Sequence, residues 1–472
     1  MAYKTISAKD DAGSETEPTS GLRELKGTRT YSPGEQIIRE QILDVMRKWF
    51  KIYGYMPLET PILELYDIAA SKYGGGAEIL KETFRLSDQG GRDLCLRYEL
   101  TFKFAKFIGM NPMIRMPIKR YEIGKVFRDG PVKLGRLREF TQCDVDQVGM
   151  GDVYADAELI DLTFHLFNDL NIDIRVEIND RKILFGIFEQ AGIPKDLAID
   201  AALSIDKLAK MGEAKVKAEM LDKGISAESI DKVLNTLKVS SEAKSNTDRL
   251  ERLAEIIKDG QGKEGIDELK HIFGYLDTMG TKGSIEFSPS LARGLGYYTG
   301  PMWEVYLKDS SKISASVAAG GRWDKMIGQF LGTEKANYPA TGMTFGLDVI
   351  YTAMTTMSGA LKAEARSRVP SVLVIPIDGA PGENHIFNYS LHLTSLLRTN
   401  LVSSEISEKK LVRSMERANK DDIPYVIIVG PSELSEGKVK LRDMKSGKEE
   451  VLDAETAVRR LREFTVGTPE KA

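Results

Sequence analysis

The spacing of apolar and polar residues predicts a long helix close to the N-terminus. The segment Ser32-Pro33-Gly34-Glu35 combines an N-cap serine, a proline suited to the first helical position and a capping-box glutamate. Apolar residues then recur at helical spacing as far as Trp49, and the helix should end before Gly54. Residues 56–63 contain two prolines and are predicted to be extended.

The next stretch, residues 82–149, alternates over short distances between apolar and polar residues. Its three best alternations cover residues 94–98, 119–127 and 139–148, and polar turns separate them. This pattern is typical of antiparallel strands that face a groove. From residue 185 to residue 267 the apolar period becomes helical, which predicts a helical insertion of about residues 185–270.

Strand patterns return in the second half of the chain. They cover residues 284–287, 303–307 and 315–319, and a helix is expected after residues 342–346. Beyond the polar junction at residues 365–368, strands and helices alternate regularly. The predicted strands are 372–375, 401–406 and 425–429, the helices 384–398, 409–419 and 455–464, and a hairpin begins at 438. This alternation predicts a compact α/β domain.

Length and composition favour a chain of several globular parts. A sequence of 472 residues is too long for one ordinary core, and 42% hydrophobic with 29% charged residues is typical of globular proteins. We expect a disordered tail (1–24), a main domain (25–365) and a C-terminal domain (369–472). Apolar runs stay shorter than the roughly 20 residues that cross a bilayer, so no membrane association is expected. The polar, acidic N-terminus resembles neither a secretory nor an organelle signal, which favours the cytoplasm.

Cysteines, histidines and net charge narrow the possible chemistry. Cys95 and Cys143 are solitary, and the four histidines form no ligand pattern, so neither a disulfide nor a bound metal is predicted. The net charge of −4 points away from nucleic acid when taken alone. Any contact with RNA must therefore come from local patches of arginine and lysine.

The segment Phe127–Asp146 concentrates residues that bind charged ligands. It reads as a strand, a basic turn and a second strand, and Arg128 and Arg136 lie near the strand ends, where guanidinium groups could hold phosphates bidentately. Phe140 offers a ring on which a base could stack. The alternative is a solvated hairpin with ordinary charge pairs, and the mixture of functional residue types in one segment makes it the weaker interpretation.

The second strand of this segment carries a row of polar side chains. Gln142, Asp144 and Asp146 alternate along it, so their side chains point to the same face. An ammonium group and a polar ligand could bind there.

Two glycine-supported segments are further candidates for ligand contact. Residues 291–300 hold Arg293, Tyr297 and Tyr298 among glycines that permit close approach of a ligand, and residues 318–324 hold Arg322 after two glycines. Taken singly, each segment could equally be a tight structural turn.

Together these segments resemble class II aminoacyl-tRNA synthetases, and specifically the histidyl-tRNA synthetase family in its eukaryotic and archaeal form. The resemblance extends from Lys26 to Phe464. Residues 27–33 with the following helix and Thr60-Pro61 look like motif 1, and Phe127–Asp146 looks like motif 2. Residues 96–101, 291–300 and 320–324 are similar to signatures specific for histidine, in the family's order.

The resemblance implies an α+β architecture with two functional domains. The main domain would be a class II catalytic domain built on an antiparallel sheet with a helical insertion, and the C-terminal α/β domain would bind the anticodon. The implied reaction is the ATP-dependent ligation of L-histidine to tRNA(His) through a histidyl-adenylate, with Mg²⁺ bound alongside ATP. Motif 1 implies a homodimer.

The resemblance also implies roles for single residues. Glu99 and Tyr298 would bind the imidazole, with Thr101 and Tyr297 nearby, and Gln142 and Asp146 would bind the substrate ammonium. Arg128 would contact the ATP phosphates, Phe140 would pack on adenine and Arg293 would stabilise charge at the α-phosphate. The loop of residues 130–135 would approach the acceptor end of the tRNA.

The sequence departs from the family pattern at three positions. Val349 stands where the family has the motif 3 arginine, Gly296 replaces an aspartate and Trp323 replaces a tyrosine. We expect Arg136 or Arg322 to supply the missing phosphate contact. Loss of the motif 3 arginine favours an alternative, a catalytically inactive paralogue acting as a regulatory or histidine-sensing subunit. The retained substrate residues and C-terminal domain favour the ligase over that paralogue and over an ATP-binding scaffold without a tRNA role.

Overall fold

The fold is known from a computed structural model. It describes residues 23–72, 77–132, 136–241, 243–292, 297–311, 313–333, 337–357, 370–377 and 385–466. Four predicted features therefore lie outside the described residues: most of the N-terminal tail, the loop tip at 133–135, Arg293 with its neighbours up to Gly296, and the junction at 365–368. Within the described parts, no helix combines the length and apolar character needed to cross a bilayer.

The described residues form two compact units, one mainly of residues 39–357 and one mainly of residues 370–466. The strands of the first unit are β1 (Met56–Pro57), β2 (Leu63–Leu65), β3 (Arg85–Ser87), β4 (Asp93–Leu96), β5 (Ile118–Phe127), β6 (Glu139–Val148), β7 (Ile174–Asp180), β8 (Ser284–Phe287), β9 (Pro301–Leu307), β10 (Ala318–Arg322) and β11 (Ala340–Gly346). Eight of these strands form one sheet in the order β1-β5-β6-β11-β10-β9-β7-β8. Its five central pairings, from β5 to β7, are antiparallel.

Helices surround this sheet and fill the predicted insertion. They are α1 (Pro33–Ile52), α2 (Tyr66–Lys72), α3 (Ala77–Lys81), α4 (Thr101–Met110), α5 (Tyr154–Asp169), α6 (Arg181–Gln190), α7 (Ala198–Ile205), α8 (Leu208–Met211), α9 (Glu213–Asp222), α10 (Ala227–Ser241), α11 (Asn246–Ile256), α12 (Gly260–Met279), α13 (Met326–Phe330) and α14 (Leu347–Met357). Helix α4 packs on α13 through a buried cluster that includes Phe104, Trp323 and Ile327. This packing fixes the N-terminus of α4 beside the sheet.

The second unit is a mixed sheet with helices on its faces. Its strands are β12 (Val372–Pro376), β13 (Ser404–Ile406), β14 (Tyr425–Val429), β15 (Lys438–Asp443) and β16 (Glu449–Asp453), and its helices are α15 (His385–Thr399), α16 (Leu411–Lys420), α17 (Pro431–Ser435) and α18 (Ala454–Val466). Strands β13, β12 and β14 run parallel, while β15 and β16 are antiparallel additions. Two separate apolar clusters lie on the two faces of the sheet.

The predicted fold class is confirmed: an antiparallel-rich sheet with a run of helices, followed by a C-terminal α/β unit. One predicted strand was placed wrongly, because β10 extends from Ala318 to Arg322 and not over residues 315–319. Glycine is unfavourable in strands, so the sequence pattern ended before Gly320 and Gly321. In the structure a Cβ atom at Gly320 would lie 2.6 Å from the Trp303 ring, and one at Gly321 would lie 2.9 Å from the Tyr298 ring. The glycines are therefore needed where aromatic rings cover the strand.

Candidate functional site

The candidate site begins on the polar face of β6. Gln142, Asp144 and Asp146 alternate along this strand and are at most 7% exposed. The neighbouring strand β11 places Gly342 opposite Asp146, and a Cβ atom at Gly342 would overlap the Asp146 carboxylate. Within the described structure, Gln142 Oε1 and Asp146 Oδ1 are buried without a hydrogen-bond partner. Such atoms are costly to bury unpaired, which indicates that a ligand donates to them.

A buried arginine holds this acidic face together. Arg120 lies opposite Asp146 on β5, is 1% exposed, and places Nη2 2.7 Å from Asp146 Oδ2. The same nitrogen donates to the carbonyl of Leu100 (3.1 Å), which connects the strand to the start of α4. Glu122, also on β5, pairs with Arg97 at 2.9 Å, and its other oxygen lies 3.7 Å from Arg120 Nη1. Arg120 is thus the cation that compensates the aspartates of β6.

Glu99 lies at the N-terminus of α4 and, together with Asp144 and Asp146 of β6, forms an acidic wall of the site. Its Oε1 accepts a hydrogen bond from the backbone N–H of Phe102 (2.7 Å), and Thr101 Oγ1 lies 3.4 Å from Asp144 Oδ2. A helix N-terminus favours a carboxylate, since its first N–H groups lack partners within the helix. The predicted residues Glu99, Thr101, Gln142 and Asp146 therefore lie on adjoining elements of one site.

Burial makes the ionised carboxylates unfavourable in the absence of a ligand. It raises the pKa of Glu99 to about 7, and the nearby Asp144 carboxylate adds to that effect. Burial likewise raises the pKa of Asp144 and of Asp146, and the positive charge of Arg120 opposes both increases. A cationic ligand group would favour the ionised carboxylates, so the site is electrostatically suited to an ammonium group.

Two tyrosines lie against the same wall. The rings of Tyr297 and Tyr298 are 4.4 Å apart, and the Tyr298 ring covers Gly321 of β10. The Tyr297 residue is 42% exposed, yet burial around its phenol raises its pKa to about 12; the hydrogen bond with Tyr298 opposes this increase, and the negative charge of Glu99 adds to it. Burial and Tyr297 raise the pKa of Tyr298. Both phenols are therefore neutral hydrogen-bonding groups near the carboxylates.

Arg128 and Phe140 form the other end of the site. The Arg128 guanidinium lies over the Phe140 ring (5.0 Å) and the Tyr98 ring (4.4 Å), and its Nε donates to the Tyr98 carbonyl (3.3 Å). Among the described residues, no carboxylate lies within ion-pair distance of Arg128. A guanidinium held by rings and without an anionic partner is suited to a phosphate.

Arg136 is also at this end, but it has an acidic partner. Its Nη2 lies 3.2 Å from Oε1 of Glu82, and the Arg136 side chain is 52% exposed. Glu82 itself is only 13% exposed and accepts a hydrogen bond from the Tyr98 hydroxyl (3.0 Å). Neither Glu82 nor Arg120 belongs to one of the motifs that predicted site residues, so the sequence alone did not indicate their part in the site.

The geometry argues against the prediction that Arg322 contacts ATP. Arg322 is 4% exposed, and its Nε donates to Asp156 Oδ2 at 3.0 Å. Its Nη1 and Nη2 groups bond to the backbone carbonyls of residues 150–152, and Nη2 also bonds to Asp156. Every N–H-bearing nitrogen of Arg322 is thus occupied inside the protein. The glycine-arginine pattern reflected a buried ion pair that supports β10.

Val349, which stands where the family has the motif 3 arginine, lies in the first turn of α14. Asp348 accepts hydrogen bonds from Arg39 Nη1 (2.6 Å), from the Thr141 backbone N–H (2.8 Å) and from the Tyr31 hydroxyl. Asp348 thereby anchors α14 to β6. The adjacent Val349 is half-buried and has no charge to offer a phosphate.

Comparisons with known proteins identify the family of the chain. A family model for histidyl-tRNA synthetase matches residues 27–350, and an anticodon binding domain model matches residues 371–464. A Bacillus cereus protein named histidine–tRNA ligase 1 is 45% identical over 428 residues, covering 91% of this chain and 96% of that protein. A histidine–tRNA ligase of the zebrafish Danio rerio is 33% identical, covering 91% and 86%.

Solved structures show the same fold. The histidyl-tRNA synthetase from Nostoc has a TM-score of 0.77 at 25% identity, covering 94% of this chain and 99% of that one. A Bacillus halodurans structure titled as an ATP phosphoribosyltransferase regulatory subunit/histidyl-tRNA synthetase has a TM-score of 0.68 at 19% identity, covering 84% and 94%, which supports the fold alone. The family match over most of the chain, together with the 45% identity, establishes the relationship. The chain belongs to the histidyl-tRNA synthetase family.

Proposed function

We propose that this protein ligates L-histidine to tRNA(His) with ATP, through a histidyl-adenylate. The observation that carries the proposal is the acidic wall beside Arg128, where Gln142 Oε1 and Asp146 Oδ1 are buried without partners. The substrate ammonium would donate to these atoms. Because the wall also contains Glu99 and Asp144, a positively charged ligand would compensate its excess of carboxylates.

The remaining substrate contacts follow from the same arrangement. Glu99 and Tyr298 would hydrogen-bond the imidazole nitrogens, with Thr101 and Tyr297 beside them. A smaller or apolar amino acid would leave these buried groups unpaired, and sites of that kind reach selectivities on the order of 10⁴–10⁵.

ATP would lie at the Arg128 end of the site. Phe140 would pack on adenine, Arg128 and Arg136 would hold phosphates, and Arg293 would stabilise charge at the α-phosphate. Mg²⁺ would enter with ATP, bound chiefly by phosphate oxygens. In the first step a carboxylate oxygen of histidine attacks the α-phosphorus and pyrophosphate leaves. In the second step a terminal hydroxyl of the tRNA attacks the histidyl carbonyl carbon and AMP leaves.

The protein contributes position and charge neutralisation to both steps. The first attack needs no base, since the histidine carboxylate is already ionised and pyrophosphate is a stable leaving group. In the second step the tRNA hydroxyl loses its proton as the ester bond forms, and the phosphate of the departing AMP would accept that proton. Fixed guanidinium groups that meet developing charge reduce the barrier without having to reorganise.

The proposal extends to the organisation of the protein. Residues 25–365 would form the catalytic domain, with an insertion at about 185–270, and residues 369–472 would bind the anticodon. The active form would be a homodimer that pairs through motif 1, and the compartment would be the cytoplasm, where charged tRNA is consumed.

Histidine-dependent ATP–pyrophosphate exchange, followed by transfer of labelled histidine to tRNA(His), tests the proposal. We expect both activities. Val349 favours the second candidate, an inactive regulatory paralogue, because it removes a phosphate contact. Absence of exchange with intact histidine binding would favour that paralogue, and exchange without transfer would remove the tRNA assignment.

A further inference from the structure

Glu82 connects both sides of the basic turn between β5 and β6. Its backbone carbonyl accepts from the Asp129 N–H (2.7 Å), next to the end of β5. Its carboxylate reaches the returning side of the turn, with Oε1 3.2 Å from Arg136 Nη2. A Cβ atom at Gly130 would lie 2.6 Å from Glu82 Oε1, so the glycine makes room for this carboxylate.

The same carboxylate supports the second arginine of the site indirectly. The Tyr98 hydroxyl donates a hydrogen bond to Glu82 Oε2 (3.0 Å), and the Arg128 guanidinium lies over the Tyr98 ring, 4.4 Å from its centre. Glu82 thus pairs directly with Arg136, and it contacts Arg128 only indirectly, through the side chain of Tyr98. The other carboxylates of the site belong to β6 and to the start of α4.

Carboxylate and phosphate are equivalent partners for a guanidinium, since both offer two oxygens to its N–H fork. The Arg136 side chain is half exposed, so a nucleotide phosphate can reach it, whereas the Glu82 carboxylate is largely enclosed and held by Tyr98. A phosphate that binds Arg136 must therefore compete for its guanidinium with the Glu82 carboxylate, which is also negatively charged and is held in place.

We propose that Glu82 is a positioning residue that occupies Arg136 until ATP binds, and that Arg136 then exchanges the Glu82 carboxylate for a nucleotide phosphate. The inference rests on the proposed function, because it assigns Arg136 to the ATP phosphates. Before ATP arrives, Glu82 keeps Arg136 folded against the turn. On binding, ATP must displace that ion pair, so Glu82 weakens ATP binding while it orders the empty site.

Glu82→Gln tests the inference, because it keeps an acceptor for Tyr98 and removes the charge that competes with phosphate. Binding of ATP to the full-length protein is measured by calorimetry without histidine. A half-exposed ion pair is worth little, so we expect ATP to bind about two- to fivefold more tightly to the variant. Adenosine, which lacks phosphates, should bind equally to both proteins.

Glu139→Gln is the matched control. Glu139 lies on the same hairpin and pairs with Lys125 at 3.2 Å, so the substitution removes the same charge nearby without touching Arg136. ATP affinity should stay unchanged in this variant. An equal gain in Glu139→Gln would assign the effect to general electrostatics and overturn the inference, as would unchanged or weaker ATP binding by Glu82→Gln.

Two further measurements complete the test. In an Arg136→Ala background, Glu82→Gln should no longer alter ATP affinity, and a persisting gain would show that Glu82 acts by another route. If Glu82→Gln does not fold, a structure of the unmodified protein with ATP decides: an Arg136–Glu82 pair that stays intact overturns the inference. Failure to bind any ATP would reject the proposed function as well, whereas ATP binding indifferent to Glu82 rejects this inference alone.

Discussion

Replacing Glu99 with glutamine should stabilise the first unit while weakening histidine binding. Burial raises the pKa of Glu99 from its ordinary value of 4.5 to about 7. Between these values the folded protein binds a proton that the unfolded chain has released, so stability falls as pH rises through this window and levels off above it. This difference in pKa between the folded and unfolded states lowers the free energy of unfolding by about 3 kcal/mol at pH 8.

The glutamine side chain carries no charge and avoids this cost. It can still accept the hydrogen bond from the Phe102 N–H, which the carboxylate accepts at 2.7 Å. We therefore expect Glu99→Gln to exceed the unmodified protein in stability by up to about 3 kcal/mol at pH 8, and by about 1 kcal/mol or less near pH 5.

Urea unfolding at pH 5 and pH 8 measures this difference. Tryptophan fluorescence reports the first unit, since all three tryptophans of the chain, Trp49, Trp303 and Trp323, belong to it. Glu139→Gln, at a partly exposed position, serves as a control with little expected effect at either pH. A stability difference that is independent of pH, or a variant less stable at pH 8, would refute the reasoning.

Histidine binding should weaken in Glu99→Gln, although the stability of the variant rises. Glu99 would form a charge-assisted hydrogen bond with the substrate, and such bonds are worth about 1.5–3 kcal/mol. Histidine should therefore bind roughly 10- to 150-fold more weakly to Glu99→Gln. Calorimetry in buffers of different ionisation enthalpy should also detect proton release when histidine binds the unmodified protein at pH 6, and less release in the variant.

Three further predictions concern single side chains. Asp146→Asn should raise the KM for histidine roughly 10- to 100-fold in pyrophosphate exchange with little change in the KM for ATP, and a change in the ATP value alone would contradict the assignment. Arg322→Ala should lower the free energy of unfolding in urea by about 3–5 kcal/mol, since it leaves the fully buried Asp156 unpaired. A stable variant with poor ATP binding would instead assign Arg322 to the nucleotide. Arg136→Ala should slow exchange at least about tenfold if Arg136 supplies the phosphate contact that Val349 lacks, and near-normal exchange rules it out.

The sequence predicted much of the fold, because helix caps and the spacing of apolar residues depend only on residues that are close together in the chain. The N-cap and proline before α1 and the apolar period after them fixed a helix that the structure gives as Pro33–Ile52. The alternation of polar and apolar residues over 142–146 predicted the strand that the structure gives as β6 (Glu139–Val148), and with it the shared face of Gln142, Asp144 and Asp146. The motifs then indicated the family, which the comparisons establish.

Only the tertiary structure decided which charged residues are enclosed and what neutralises them. Arg322 pairs with Asp156, 166 positions earlier, and Glu82 pairs with Arg136, 54 positions later. Arg120 compensates Asp146 only because β5 and β6 run antiparallel in a particular register. A buried charge requires a partner from another segment, and the sequence near the charge does not contain that partner. For this reason the motif containing Arg322 suggested a ligand, while the folded chain makes Arg322 part of the support of β10.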